Sequence, residues 1–134
     1  MPKKTINPEQ SPNAVGPYSH AVRHGALLFS SGQLPLDPLT NQLVPGNIEE
    51  KTHQTLRNIG TLLAHEGLDY DDIVKTTIFL TDLQDFPKVN QVYGSYFPGK
   101  PPARSTVQVS ALPLQSPVEI EFVAGYPDRK EKAQ

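Results

Sequence analysis

The chain has 134 residues, enough for a single domain with one hydrophobic core. Hydrophobic residues make up 37% and charged residues 19%, a composition typical of globular rather than disordered proteins. The formal net charge of −2 argues against a nucleic-acid partner, because such proteins usually carry a basic excess on one face. The sequence contains no cysteine, which excludes disulfides, thiolate metal sites and cysteine nucleophiles.

The chain carries no sequence signal for a membrane or for export. No apolar run approaches the roughly 20 residues of a membrane-spanning helix. The segment Met1–Thr5 lacks the apolar stretch of a signal peptide, so we expect a cytoplasmic protein without a membrane partner. We predict a single domain over residues 1–127, followed by a charged tail over residues 128–134.

Three short strands are predicted in the first third of the chain. Residues 3–6 are expected to form an edge strand. Residues 19–23 and 26–31 flank the dipeptide His24-Gly25, a pattern that predicts a β-hairpin. Proline-rich loops lie on both sides of this hairpin.

The first helix is predicted between Asn47 and Gly67. Asn47 is a favourable N-cap with Glu50 three residues later, which indicates a capping box. Gly67 suits the left-handed position after the last turn. The apolar residues of this segment recur with helical spacing: Ile48, Leu56, Ile59, Leu62 and Leu63.

A second helix is predicted from Asp85, with Pro87 in its first turn, and Pro98-Gly99 is expected to end it. Its apolar face combines five residues: Phe86, Val89, Val92, Tyr93 and Phe97. The remaining strands are predicted at residues 73–80, 104–109 and 118–124.

The resulting order, β-β-β-α-β-α-β-β, predicts an α+β fold in which two helices pack on one face of a mixed sheet. The other face would carry apolar residues such as Val107 beside polar ones such as Glu119. That face is either solvated or shared with other subunits.

Arg104 is the most informative candidate for a binding role. It lies in Pro101-Pro102-Ala103-Arg104-Ser105, where a proline-stiffened loop is expected to become a strand. A guanidinium is always charged, and its planar set of donors fits a carboxylate in bidentate fashion. From the residues alone, a structural salt bridge to Glu119 or Glu121 is the more common explanation.

Other polar residues could complete a site for a small anionic substrate. Glu119 could orient or deprotonate a water molecule, and the hydroxyl of Tyr18 could donate to the substrate. Ser31, the Gly32 backbone and Asn90 could supply neutral contacts. Each also has an ordinary explanation: a solvated strand face, a half-buried tyrosine, the end of a strand, and a structural hydrogen bond.

Several other site types are disfavoured. His20 and His24 are four residues apart on a predicted strand and turn, and no glutamate stands between them as in His-Glu-x-x-His, so no metal is expected. The sequence has no Gly-x-Ser-x-Gly elbow and no phosphate-binding glycine loop.

Taken together, the motifs resemble the Rid (YjgF) family of reactive-intermediate deaminases, in its RidA-like branch. The matching segments occur in one order over residues ~3–126: Gly16-Pro17-Tyr18-Ser19, Ser31-Gly32-Gln33-Leu34-Pro35, residues 72–80, Asp85-Phe86 with Val89-Asn90 and Tyr93, Pro102-Ala103-Arg104-Ser105, and Val118-Glu119-Ile120-Glu121.

The resemblance implies a chorismate-mutase-like fold and a homotrimer with its sites in clefts between subunits. It also implies hydrolysis of enamine and imine intermediates, namely 2-aminoacrylate (2-iminopropanoate) and 2-iminobutanoate, to 2-keto acids and ammonia. The substrates would be small 2-imino acids, the partner would be the chain itself, and no cofactor would be needed.

The resemblance also implies roles for single residues. Arg104 would bind the substrate carboxylate, and Glu119 would activate water; Glu121 shares its strand face and remains the alternative base. The substrate-binding set would be Tyr18, Ser31, Gly32, Asn90, Arg104 and Thr106. Thr106 stands where many family members have cysteine, at a position that contributes mainly backbone contacts.

Two other functions stay open. The same cleft could belong to a non-catalytic regulatory trimer that senses 2-keto or imino acids. An endoribonuclease or translation inhibitor, activities that have been attached to family members, is less favoured because the net charge is −2 and the sequence shows no basic and aromatic platform.

Overall fold

A computed structural model describes residues 2–128, so all of the predicted charged tail except Asp128 lies outside the described residues. The two α-helices are α1 (Ile48–His65) and α2 (Phe86–Gly94). The strands are β1 (Lys4–Ile6), β2 (Ala21–His24), β3 (Leu27–Ser30), β4 (Ile73–Leu80), β5 (Ala103–Gln108) and β6 (Val118–Gly125). No helix in this part of the chain is both long and apolar enough to cross a membrane.

The six strands form one mixed sheet in the order β1-β2-β3-β6-β4-β5. Strands β4 and β5 are parallel, and α2 lies in the connection between them, as a parallel crossover requires. Every other neighbouring pair is antiparallel. The predicted element order and mixed sheet are confirmed.

The hairpin β2–β3 starts later than predicted. Its register pairs His24 with Leu27, and Gly25 in the connection takes a left-handed φ of 62°. His20 lies outside β2 because its backbone N–H donates to the side chain of Asn7 (3.0 Å) rather than to a strand. The carbonyl of His20 still accepts a bond from Ser31 N–H (2.8 Å), which continues the pairing beyond the end of β3.

Helix α1 begins and ends at the predicted signals. The Asn47 side chain accepts a hydrogen bond from Glu50 N–H (2.9 Å). At the other end, Gly67 has a φ of 71°, and its N–H donates to the carbonyl of Ala64 (3.0 Å). These contacts satisfy backbone groups that a helix end leaves without partners.

Helix α2 ends at Gly94, before the predicted stop at Pro98. The next three residues tighten into shorter turns, in which each N–H donates to the carbonyl three residues back: Ser95 to Val92, Tyr96 to Tyr93 and Phe97 to Gly94. These shorter turns therefore extend the helical path from Gly94 to the predicted end at Pro98.

The hydrophobic core lies between the two helices and one face of the sheet. Alternate residues of β6 point into it, and all of them are buried: Val118, Ile120, Phe122 and Ala124. The opposite face, which we call the open face, has no covering layer among residues 2–128. Phe29 and Val107 on the open face are 43% and 41% exposed. Glu119 belongs to this face, since it alternates with the buried residues of β6.

Candidate active site

A cleft of about 580 Å³ opens beside Glu119. It lies between the loop that precedes β2, the end of β3, strand β6 and the turn that precedes β6. Four of the predicted site residues line it, namely Tyr18, Ser31, Gly32 and Glu119, and so does Glu121. The fold thus brings together residues that are up to about a hundred positions apart in the sequence.

Glu119 lies directly against the backbone of Gly32. A methyl group added at Gly32 would overlap the carboxylate of Glu119. Only glycine therefore leaves room for this carboxylate in its present position. The contact explains why a residue without a side chain stands where the chain leaves β3.

Burial raises the pKa of the Glu119 carboxyl, and the negative charge of Glu121 raises it further. Both causes disfavour the charged form. A carboxylate with a raised pKa is a stronger base toward water, which suits the role predicted for Glu119. Gly32 lies against Glu119, and this contact favours Glu119 over Glu121 as the group that meets a ligand beside Gly32.

Tyr18 forms part of the opposite wall of the cleft and is 47% exposed. Its backbone N–H donates to the carbonyl of Gly16 (2.9 Å), and Gly16 has a φ of 127° that favours glycine. The Tyr18 ring meets the ring of buried His20 edge-on at 6.2 Å. Among residues 2–128 the Tyr18 hydroxyl has no hydrogen-bond partner, so it can donate to a ligand.

Ser31 and Gly32 differ in what they can offer. The Ser31 hydroxyl donates to the carbonyl of Ser19 (2.6 Å), so its proton already has an acceptor within the protein. Only the lone pairs of that oxygen remain for another donor. Neither backbone group of Gly32 bonds to another group in the described part of the chain.

Arg104 lies on the other face of the sheet. In the parallel ladder it is paired with Thr76, whose side chain is buried on the side of the helices. Its Nη1 donates to Asn90 Oδ1 (2.8 Å). Asn90 therefore makes the hydrogen bond that orients Arg104, and both residues line a hollow of about 420 Å³.

The structural salt bridge that the sequence left open is not formed. No carboxylate of residues 2–128 lies within salt-bridge distance of Arg104, neither Glu119 nor Glu121. Apart from the bond to Asn90, the donors of the guanidinium have no partner in the same residues. This cation is therefore free to bind an anion.

Arg104 and Glu119 do not meet within one chain. Strand β4 separates their strands, and its register pairs Phe79 with both Glu119 and Val107. The backbones of Arg104 and Glu119 are separated by two inter-strand spacings across the sheet and by three residues along the strands. This separation corresponds to about 14 Å. Their side chains also leave opposite faces of the sheet.

Thr106 follows Arg104 on the same face of β5, paired with Ile78. Its hydroxyl is buried without a hydrogen-bond partner. Strand β5 is the last strand of the sheet, so one edge of its backbone has no neighbouring strand in the described part of the chain. That free edge leaves room for the backbone contacts that the resemblance implies.

Sequence reasoning missed the apolar walls of the cleft. Val15 and Leu114 line it and are 86% and 60% exposed. Leu114 and Gln115 adopt left-handed φ angles of 58° and 60°, which residues with side chains rarely take. No glycine marks this turn in the sequence, so no local signal announced it.

Sequence reasoning also missed the surroundings of Arg104. The rings of Phe86 and Tyr93 both lie against its guanidinium. Together with Asn90 they recur at positions i, i+4 and i+7 of α2, a spacing that places them on one side of the helix. That spacing could have revealed the group.

Comparison with known proteins assigns the family. The family model described as Endoribonuclease L-PSP matches residues 8–126. The chain belongs to this family. It is the Rid (YjgF) family that the sequence motifs resemble, so the predicted membership is confirmed.

This Rid family member is similar in sequence to named relatives and similar in structure to a solved protein. It is 52% identical to Protein DfrA of Myxococcus xanthus, over 92% of this chain and 96% of the other. It is 47% identical to the 2-iminobutanoate/2-iminopropanoate deaminase of Mus musculus, over 91% and 90%. The crystal structure of E. coli TdcF with bound serine superposes with a TM-score of 0.88 at 37% identity, over 92% and 99%.

Proposed function

We propose that this Rid family member hydrolyses small 2-imino acids, such as 2-iminobutanoate and 2-iminopropanoate, to 2-keto acids and ammonia. The observation that carries the proposal is the Arg104 guanidinium, which is oriented by Asn90 and has no carboxylate partner among residues 2–128. A relative at 47% identity is named for this reaction, and another relative has been solved with bound serine, itself a small amino acid.

The reaction needs a positioned substrate and one activated water. Arg104 binds the substrate carboxylate through charge-assisted hydrogen bonds. Glu119 takes a proton from the water as its oxygen adds to the carbon of the protonated imine, whose nitrogen becomes the amine of a carbinolamine. Glu119 then returns that proton to the amine nitrogen, and the C–N bond breaks to release ammonia. The carbinolamine hydroxyl gives its proton to Glu119 as it becomes the carbonyl of the keto acid. The protein contributes mainly orientation and partial exclusion of solvent.

The proposed site requires a second copy of the chain. Arg104 and Glu119 leave opposite faces of one sheet, so a substrate of a few atoms cannot reach both in the same subunit. A homotrimer would place Arg104 of one subunit beside Tyr18, Gly32 and Glu119 of the next. Exposed apolar residues on the open face, such as Phe29 and Val107, support such an assembly.

We test the reaction by trapping. An amino-acid oxidase or a threonine dehydratase generates the imine in situ, and semicarbazide converts the free imine to a semicarbazone that is followed by absorbance. The protein should suppress the semicarbazone signal, whereas Arg104→Ala and Arg104→Lys should not, because an ammonium cannot reproduce the bidentate contact. Arg57→Ala, which removes an exposed arginine on helix α1, is the control.

The outcomes separate the candidate functions. Suppression by wild type that is lost with Arg104 supports the deaminase. If wild type leaves the signal unchanged yet binds a 2-keto acid through Arg104, the protein is a ligand sensor. The family description makes a ribonuclease assay on the same preparations worthwhile, and RNA cleavage that persists in Arg104→Ala does not come from this site.

A further inference from the structure

The guanidinium of Arg104 contacts three residues of α2. Its Cζ lies 5.2 Å from the centre of the Phe86 ring and 4.9 Å from the centre of the Tyr93 ring. Both distances fall inside the range of about 6 Å in which a cation is attracted to an aromatic face. The third contact is the 2.8 Å hydrogen bond to Asn90. We call Phe86, Asn90 and Tyr93 the cradle.

The side chain of Tyr93 is buried and is held by contacts with two other residues. It is only 4% exposed, and its hydroxyl shares a 2.7 Å hydrogen bond with the buried hydroxyl of Thr76. Its ring packs on Phe97 with a centre-to-centre distance of 4.7 Å. Thr76 is also the residue of β4 that pairs with Arg104 in the sheet. The same residue therefore bonds to Tyr93 and lies beside the backbone of Arg104.

An arginine side chain has many rotamers. A mobile arginine loses this conformational freedom when it binds a ligand, and the loss weakens binding. The cradle removes much of it before the ligand arrives. The two rings lie near the guanidinium and Asn90 accepts from one of its donors, which leaves other donors for a carboxylate. Prior ordering of this kind increases affinity without any new contact to the ligand.

We propose that Tyr93, fixed by Thr76, acts with Phe86 as a pair of positioning residues that hold Arg104 ready for the substrate carboxylate. The proposal rests on the proposed function for the identity of the ligand. Phe86 and Tyr93 thus have a role beyond packing α2 onto the sheet, and neither touches the reacting atoms.

The test uses the intact protein and the variants Tyr93→Leu, Phe86→Leu and Tyr93→Phe. Tyr96→Leu removes a tyrosine from the same segment that has no contact with Arg104 and serves as the control. The order of the Arg104 side chain is followed by NMR of its Nε–H group. Binding of 2-oxobutanoate is measured by titration, and KM and kcat are measured separately.

Both leucine variants should weaken 2-oxobutanoate binding and raise KM about 3- to 30-fold, the equivalent of a cation–ring interaction, with little change in kcat. The Nε–H group of Arg104 should become more mobile in both. Tyr93→Phe retains the ring and should keep most of the affinity and order. Tyr96→Leu should resemble wild type in both readouts.

Unchanged mobility of Arg104 and unchanged KM in a folded leucine variant would overturn the proposal. If Tyr93→Leu does not fold, Phe86→Leu decides, because Phe86 is only partly buried. A wild-type protein that neither binds 2-oxobutanoate nor suppresses the semicarbazone signal would overturn the proposed function instead. Unchanged order of Arg104 in Phe86→Leu would still overturn the cradle, whatever the ligand.

Discussion

The surroundings of Glu119 shift the protonation of its carboxyl group. Burial against Gly32 and the neighbouring charge of Glu121 both raise its pKa. If Glu119 is the base, activity should rise with pH as Glu119 loses its proton. Glu121→Gln removes a like charge and lowers the pKa of Glu119, so the acidic limb of the kcat/KM profile should move to lower pH.

The control for this prediction is Glu119→Gln, which should lose about 10²- to 10⁴-fold in kcat, the usual contribution of a general base. A profile whose acidic limb stays in place in Glu121→Gln would show that another group sets it. Full activity in Glu119→Gln would transfer the role of the base to Glu121.

Gly32 offers a second test at the same place. Gly32→Ala should reduce activity because the new methyl group displaces the Glu119 carboxylate. The fold should tolerate the change, since the displaced group is the end of a flexible side chain. Steady-state kinetics and a melting curve distinguish the two effects.

A matched control is Gly99→Ala, where an added methyl group would meet nothing within 4 Å. Equal losses of activity in the two variants would mean that the contact with Glu119 is unimportant.

At the scale of the elements, a contact with Tyr70 explains why the interior of helix α1 contains a glycine, Gly60. A methyl group at Gly60 would overlap the hydroxyl of Tyr70, which donates to the carbonyl of Leu56 (2.7 Å). Alanine normally favours a helix over glycine by up to about 1 kcal/mol. Here we expect Gly60→Ala to destabilise the protein instead.

A double-mutant cycle tests this expectation. In a Tyr70→Phe background the overlapping hydroxyl is absent, so Gly60→Ala should be less destabilising there, with a coupling of about 1 kcal/mol or more between the two sites. Urea denaturation measures all four proteins. Additive effects would show that the hydroxyl of Tyr70 is not the reason for the glycine.

The sequence predicted the elements whose signals are local. Asn47 and Gly67 mark the ends of α1, and the strand predicted at residues 73–80 is β4. The left-handed turn at Leu114 could not be predicted, because its own residues do not favour it and the surrounding chain imposes it. The hydrogen bond that the Ser31 hydroxyl donates could not be predicted either, because its acceptor, the carbonyl of Ser19, lies in another part of the chain.

The candidate site was predicted as a set of residues but not as an arrangement. Residue types and motifs selected Arg104, Glu119 and Tyr18, and the structure places each of them in the wall of a cavity. Only the strand register shows that Arg104 and Glu119 leave opposite faces of the sheet. Pairing between distant strands decides such relations, and alternation within one strand carries no information about its neighbour.

At the scale of the whole molecule, the proposed division of the site between subunits would make assembly a condition for activity. The open face exposes Phe29 and Val107, and within residues 2–128 one edge of β5 is not paired with another strand. An isolated subunit would therefore hold two incomplete halves of a site. We expect the protein to be oligomeric at micromolar concentration by light scattering.

The most direct measurement of the central claim is complementation between two inactive variants. Arg104→Ala and Glu119→Gln are produced separately and also coexpressed, and imine hydrolysis is assayed by semicarbazide trapping. If each site uses Arg104 of one subunit and Glu119 of another, random assembly should restore about a quarter of the wild-type activity, because one interface in four combines both intact residues. A coexpressed sample as inactive as either variant alone, beside active wild type, would contradict the account.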